Sequence, residues 1–207
     1  ASKLDLEAFG SAILKTMVNK ARVSGEDVQL QNNGTIYIET ESLNGSNYSI
    51  VADDIVVLDS DQQEIELKSG SNFSLIAEKG NIVFLDQNET YKVENGNINF
   101  TAKTGGDDST YNGGIIAANL IITGNGNINL EADKNITINK IDAGATGKVS
   151  ILSKNGILVD GNGIDHNITA NQVSISVNTP DQLSAEMDRE AATSDVASLK
   201  TKVELLR

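Results

Sequence analysis

Two stretches hold side chains whose types and spacing could do chemistry. In Asp160-Gly161-Asn162-Gly163-Ile164-Asp165, the oxygens of Asp160, Asn162 and Asp165 sit within one Gly-containing turn. Carboxylate and amide oxygens are the donors that Ca2+ takes, so these three are the candidate metal ligands. No bidentate Glu closes the set, and the stretch does not repeat as calcium-binding nonapeptide arrays do, so a plain turn competes with an ion site. His166 follows directly and is the chain's one His, which excludes clustered imidazole ligands. The second stretch, 104–114, contains Asp107, Asp108 and Tyr111 among Gly, Ser and Thr. These residues would offer a surface cation or a partner an exposed loop.

Glycosidase chemistry needs two carboxyl groups facing one bond. The adjacent acids Asp53-Asp54 and Asp107-Asp108 fail that test, because neighbours on a strand point to opposite faces. Acids on successive windings could meet basic partners, Glu131 beside Lys103 for instance. Catalytic saccharide grooves usually carry aromatic and Arg side chains, yet only 4% of this chain is aromatic, so no catalytic residue is assigned.

The chain has 207 residues, with 29 acids against 16 bases and a net charge of −13. That charge repels a phosphate backbone at long range and argues against nucleic acid as a partner. The absence of Cys removes disulfides, thiolate metal sites and Cys nucleophiles. No apolar run reaches the roughly 18 residues of a membrane span, and Ala1 opens a polar stretch without a signal-type apolar core. The chain therefore reads as mature or as an excised part of a longer protein.

The elements that must position these residues are strands and turns. There are 23 Asn residues set among Ile, Val, Gly, Ser and Thr, a mixture suited to pleated strands joined by positive-φ turns. Gly96-Asn97-Ile98-Asn99-Phe100-Thr101-Ala102 and Gly126-Asn127-Ile128-Asn129-Leu130-Glu131-Ala132 share five of seven positions. A looser form recurs, with apolar starts at 48, 73, 98, 128, 149 and 173. A second strand follows at Ile55, Ile82, Ile136 and Ile157, and a third at Ile65, Tyr91, Ile141 and Ile168. This periodicity predicts an all-β chain folded as a parallel β-helix, a β-solenoid with three strands per coil. Inward Ile, Val, Leu and Phe would stack as a core while the alternate polar residues face water. Asn97, Asn127 and Asn135, each just before a strand-start Ile, would form amide ladders between windings.

The reading divides the chain at 1–24, 25–178 and 179–207. Residues 4–22 predict an amphipathic capping helix from Leu6, Phe9, Ile13 and Met17. Thr179-Pro180-Asp181-Gln182 reads as a helix start, with Pro at the first helical position. After it Val196, Leu199, Val203 and Leu206 follow a heptad seam, giving a coiled-coil-prone segment for oligomerisation. A helix folded back as a second cap is the alternative. Asn-x-Ser/Thr triplets at Asn47, Asn72, Asn88, Asn99, Asn135 and Asn167 fall out of the strand pattern and carry little weight as glycosylation sites.

Asn135-Ile136-Thr137-Ile138-Asn139, Ile141-Asp142-Ala143-Gly144 and Gly147-Lys148-Val149-Ser150-Ile151, with their neighbours over 124–177, resemble repeats of filamentous-haemagglutinin-type adhesins and giant repetitive bacterial surface proteins. The tail, 186–203, resembles the coiled-coil stalks of fibre proteins, viral and phage fibres included. The resemblance implies a right-handed β-helix displayed outside the cell or on a virion, acting by adhesion or as a spacer. The expected role is a structural surface module that self-associates through its helical ends or by end-to-end stacking, and that could meet a carbohydrate or cell-surface receptor. Two rivals remain: a polysaccharide-binding or polysaccharide-degrading β-helix, and a calcium-stabilised surface-layer or adhesin repeat.

Overall fold

The computed structural model of the protein describes residues 2–39, 43, 45–59, 64–105, 113–162, 167–178 and 201–203. Every described strand pairs in parallel, and the strands form three sheets. Sheet A holds β1 (Lys3–Glu7), β3 (Lys20–Ser24), β5 (Thr35–Ile38) and β7 (Asp54–Val57). It continues through β10 (Ile82–Phe84), β13 (Ile115–Ile116), β16 (Ile136–Ile138) and β19 (Leu158–Asp160). Sheet B stacks β2 (Ser11–Thr16), β4 (Asp27–Asn32), β6 (Asn47–Ala52) and β9 (Asn72–Ala77). Above them lie β12 (Asn97–Ala102), β15 (Asn127–Ala132), β18 (Lys148–Ser153) and β21 (Gln172–Val177). Sheet C runs β8 (Glu64–Leu67), β11 (Thr90–Glu94), β14 (Asn119–Thr123), β17 (Ile141–Asp142), β20 (Ile168–Ala170) and β22 (Thr201–Val203). Parallel strands in stacked sheets around one interior are the arrangement of a β-solenoid.

The apolar starts at 48, 73, 98, 128, 149 and 173 form one column: Tyr48 pairs Phe73, which pairs Ile98, then Ile128, Val149 and Val173. Two residues on, Ile50, Leu75, Phe100, Leu130 and Ile151 make a second column, no more than 1% exposed. At the strand ends Ala52, Ala77, Ala102 and Ala132 stack where the chain turns, and small side chains let the corner close. The middle of the core is aromatic. Phe73 meets Phe100 edge-on at 5.3 Å and Tyr91 stacked at 5.9 Å, while Phe84 meets Tyr91 at 5.0 Å. Burying each such side chain contributes about 1.5–3 kcal/mol, so the continuous column is the main source of stability.

Two strands are missing from the periodic reading, and one is displaced by a residue. Ile115 supplies the sheet A partner between Ile82 and Ile136, and Leu120 supplies the sheet C partner between Tyr91 and Ile141. Leu158, not Ile157, stands opposite Ile136, which turns Leu158 inward at 3% exposure.

The N-terminal helix is not formed: β1, β2 and β3 occupy 3–24 and begin the solenoid there rather than at residue 25. Of the predicted helix face, Phe9, Ile13 and Met17 are 97%, 76% and 76% exposed, and Leu6 alone packs on the core. Leu4, Leu6, Leu14 and Val18 instead pack on the core. All four are separated by multiples of two, the strand period, which prevails because β1 and β2 hydrogen-bond β3 and β4 along their whole length. A helix would leave the outer edges of β3 and β4 without ladder partners. These first strands alternate between sheets A and B, whereas from β6 onward the chain visits B, A and C in turn as far as β21.

The predicted C-terminal helix lies mostly outside the described residues, at 179–200 and 204–207. Thr201–Val203, placed in that helix by the heptad reading, form instead a strand pairing Ile168–Ala170. The backbone of Val203 thus belongs to sheet C, where the ladder offers each amide a partner along the solenoid axis.

Candidate functional site

Sheet B has the longest strands and the most regular outer surface. Its outward residues alternate with core residues, so in-register stacking lines up like with like. Asn47, Asn72, Asn97 and Asn127 form such a column. Asn72 Nδ2 donates to Asn47 Oδ1 at 3.1 Å, Asn97 Nδ2 to Asn72 Oδ1 at 2.9 Å, and Asn127 Nδ2 to Asn97 Oδ1 at 3.3 Å. The backbone amides of Asn72 and Asn127 donate to the same oxygens as their side chains. Two positions along, Asn129 Nδ2 donates to Asn99 Oδ1 at 2.7 Å.

Asn135 is not part of this column. It lies at the entry to sheet A, where its Oδ1 accepts from Ile157 N at 3.0 Å. Asn81 plays the equivalent part for Gly114 N, and Asp54 for Asn81 N. Asp53 serves a turn in the same way, accepting from Gly34 N at 3.1 Å and pairing Lys79 at 3.0 Å. Both carboxylates of the Asp53-Asp54 pair therefore act in turns.

Toward the C-terminal end of the same face a groove of about 520 Å³ opens. Asn127, Asn129, Lys148, Ser150, Gln172 and Ser174 line it with amides, hydroxyls and one ammonium. These groups repeat at the strand spacing of about 4.8 Å along the axis and about 6.6 Å across, giving a flat grid of donors and acceptors. Such a grid suits a neutral polymer of hydroxylated units. The periodic pattern singles out Asn127 as a ladder residue but not the other five; reading the polar alternates of aligned repeats as a column finds them.

Beside this face, Lys154 joins two acids. Its Nζ lies 2.7 Å from Glu131 and 3.1 Å from Asp133, and these bonds, Glu131's foremost, hold the ammonium above its usual range. Partial burial pushes the Asp133 carboxyl up, but the Thr104 amide, at 2.9 Å, and Lys154 more than offset it, leaving it below the usual carboxylate range. The expected Glu131–Lys103 meeting is replaced by this Glu131–Lys154 pair on the following winding. Both carboxylates are bonded to one ammonium, and Asp133, held below its usual range, is the opposite of an acid kept protonated for general-acid work.

Of the candidate calcium ligands, Asp160 ends β19 and Asn162 follows it. Asp160 Oδ1 accepts from Asn162 N at 2.8 Å and from Asn167 Nδ2 at 2.6 Å, an Asx-type turn that uses this oxygen within the protein. Asp165 lies outside the described residues, as do Asp107, Asp108, Tyr111, Val196, Leu199 and Leu206. Among the described residues no three His, Cys, Asp or Glu converge as a metal site. Asn167, one of the sequon residues, is fully buried, and its amide also donates to Asn139 O at 3.2 Å. Glu89 is another buried polar residue; it accepts from Tyr91 OH at 2.5 Å inside the core.

Compared with models of known families, with curated proteins and with solved structures, the chain matches none.

Proposed function

We propose that this protein is a non-enzymatic structural module of a surface fibre or filament, displayed on a cell or a virion. In this reading it is a right-handed β-helix that winds three strands per coil from β6 onward, and its work is to hold a rigid spacing and present side chains along flat faces. The observation that carries the reading is the in-register stacking of sheet B, with its Asn column and uninterrupted core. Stiffness follows from it, because bending the rod would stretch ladder bonds on one side of every winding at once.

The adhesive part of the reading rests on the sheet B groove. A polysaccharide ligand is favoured there over a peptide, since the lining offers hydroxyls and amides at regular spacing beside the apolar Val149 and Val173. Incubating the protein with acidic and neutral polysaccharides tests both parts. Retention on a polysaccharide gel that is lost in Ser150→Arg supports the groove. Release of shorter saccharides would overturn the structural reading in favour of an enzyme.

A further inference from the structure

From β6 to β21, every strand of sheet B turns the same two positions outward. One column holds Asn47, Asn72, Asn97, Asn127, Lys148 and Gln172; the next holds Ser49, Ser74, Asn99, Asn129, Ser150 and Ser174. Although the chain has a net charge of −13, Lys148 is the one charged group among them. The outward side of sheet C, by contrast, carries Glu64, Glu66, Lys92, Glu94 and Asp142. In the first column Asn72, Asn97 and Asn127 each donate one side-chain N–H to the Asn before it, which leaves each amide a second N–H without an acceptor among the described residues. In the second, the hydroxyls of Ser49, Ser74, Ser150 and Ser174 have no hydrogen-bond partner among the described residues. Half-buried Val51, Ile76 and Leu152 flank those serines on the other side.

We infer that this double column is a track for one extended, uncharged glycan of β-1,4-linked pyranose units, lying along the solenoid axis with about one unit per winding. Resting on the groove reading above, the track lengthens the site from the three strands β15, β18 and β21 to six. Pitch selects the ligand. Windings repeat at about 4.8 Å and an extended β-1,4-linked chain advances about 5 Å per unit, so its hydroxyls keep step with the columns. A peptide strand repeats each face at about 6.6 Å and falls out of step within two windings. Charge selects against an anionic polymer, since the acidic protein repels it at long range. Chemistry agrees, because sugar hydroxyls both donate and accept, as an array of amide N–H groups and free serine hydroxyls requires, while the ring C–H face can lie on Val51, Ile76 and Leu152. The Asn ladder is already formed, so binding does not have to immobilise those side chains. Each winding adds about one net hydrogen bond, a factor of roughly 2–5 in affinity, so a hexaose should bind about 10-fold tighter than a triose or better.

Titration of the full chain with cellohexaose, chitohexaose and β-1,4-mannohexaose and with the matching trioses, followed by amide chemical shifts, tests this. At least one hexaose is expected to bind with that length dependence, and maltohexaose, whose α-links curve the chain, to bind no tighter than maltotriose. Ser74→Arg lies two windings outside the groove and should lower hexaose affinity about 10-fold, to the level of the triose. Thr137→Arg, the same charge change on sheet A, should leave it unaltered. Circular dichroism on each variant shows that the fold is kept. Failure of all three hexaoses to bind at about 10 mM, equal affinity for hexaose and triose, or full affinity in Ser74→Arg overturns the track. If Ser150→Arg abolishes binding while Ser74→Arg does not, the ligand is confined to the groove, and the groove reading stands without the track.

Discussion

Replacing Gly126 by Ala should cost far more than an exposed glycine-to-alanine change usually does. Gly96, Gly126 and Gly147 each precede a sheet B strand on successive windings, and their missing side chains would point along the axis into backbone. A Cβ built at Gly126 falls 1.7 Å from Gly96 O, and one at Gly96 falls 1.8 Å from Ser71 O. Ordinary contact needs about 3.2 Å, so the two windings must separate by more than 1 Å, while ladder hydrogen bonds tolerate only a few tenths. Losing two or three of those bonds, at about 1 kcal/mol each, together with strained dihedrals gives an expected loss of about 3–4 kcal/mol. Gly10 is the control, because a Cβ there meets nothing within 4 Å. Gly10→Ala should be neutral or stabilising by a few tenths of a kcal/mol through the unfolded chain. Urea unfolding followed by circular dichroism reports both variants, with the midpoint shift read at constant slope. If Gly126→Ala and Gly10→Ala differ by less than about 0.5 kcal/mol, the close stacking of the windings at that corner is wrong.

Phe100→Ala should destabilise by about 3–5 kcal/mol, whereas Phe100→Leu should cost under about 1.5 kcal/mol, because Leu75 and Leu130 fill the same column above and below. Equal losses in a denaturant titration would show that the column is not packed as described. Asn97→Ala removes a donor to Asn72 and an acceptor for Asn127, and a loss of about 1–2 kcal/mol is expected; no change in midpoint would deny the amide column a role. The Asp133 carboxyl titrates lower when folded than its usual 3.8, so it binds fewer protons in the native state. Its contribution is therefore present above 3.8 and lost as pH falls through the lower folded value. Asp133→Asn should reduce the melting temperature at neutral pH, with a difference that shrinks in strong acid; a deficit that persists there refutes the charge argument. Chelation should leave the wild-type melting temperature in place, since Asp160 Oδ1 already accepts two protein hydrogen bonds; a marked drop would restore the calcium reading.

Much of the core was legible because the strand period of two and the winding period act on the same residues. Tyr48, Phe73, Ile98, Ile128, Val149 and Val173 could be aligned from their flanking Gly, Asn and Ser alone, and they share one column. Ile115 and Leu120 were missed because the stretch 104–114 lengthens that winding and breaks the spacing, although their strands keep the sheet register. The first winding misled for a different reason. Phe9, Ile13 and Met17 fit a helical stripe while Leu4, Leu6, Leu14 and Val18 fit a strand, and a short segment can satisfy both periods.

The sequence by itself determined that the chain is built of parallel strands in stacked sheets and, in sheet B from Tyr48 to Val173, which residues form the inward column. Those properties follow from repetition, since each winding meets a near copy of itself and its side-chain pattern already encodes its neighbour's. The tertiary structure alone decided what the surfaces are. Whether Val56, Val83 and Ile116 line one face, or Glu131 finds Lys154 rather than Lys103, depends on the count of residues in each turn, which sets the register between windings. One residue more or less in a corner would exchange core for surface, so the periodic pattern constrains the interior while the turns assign the faces.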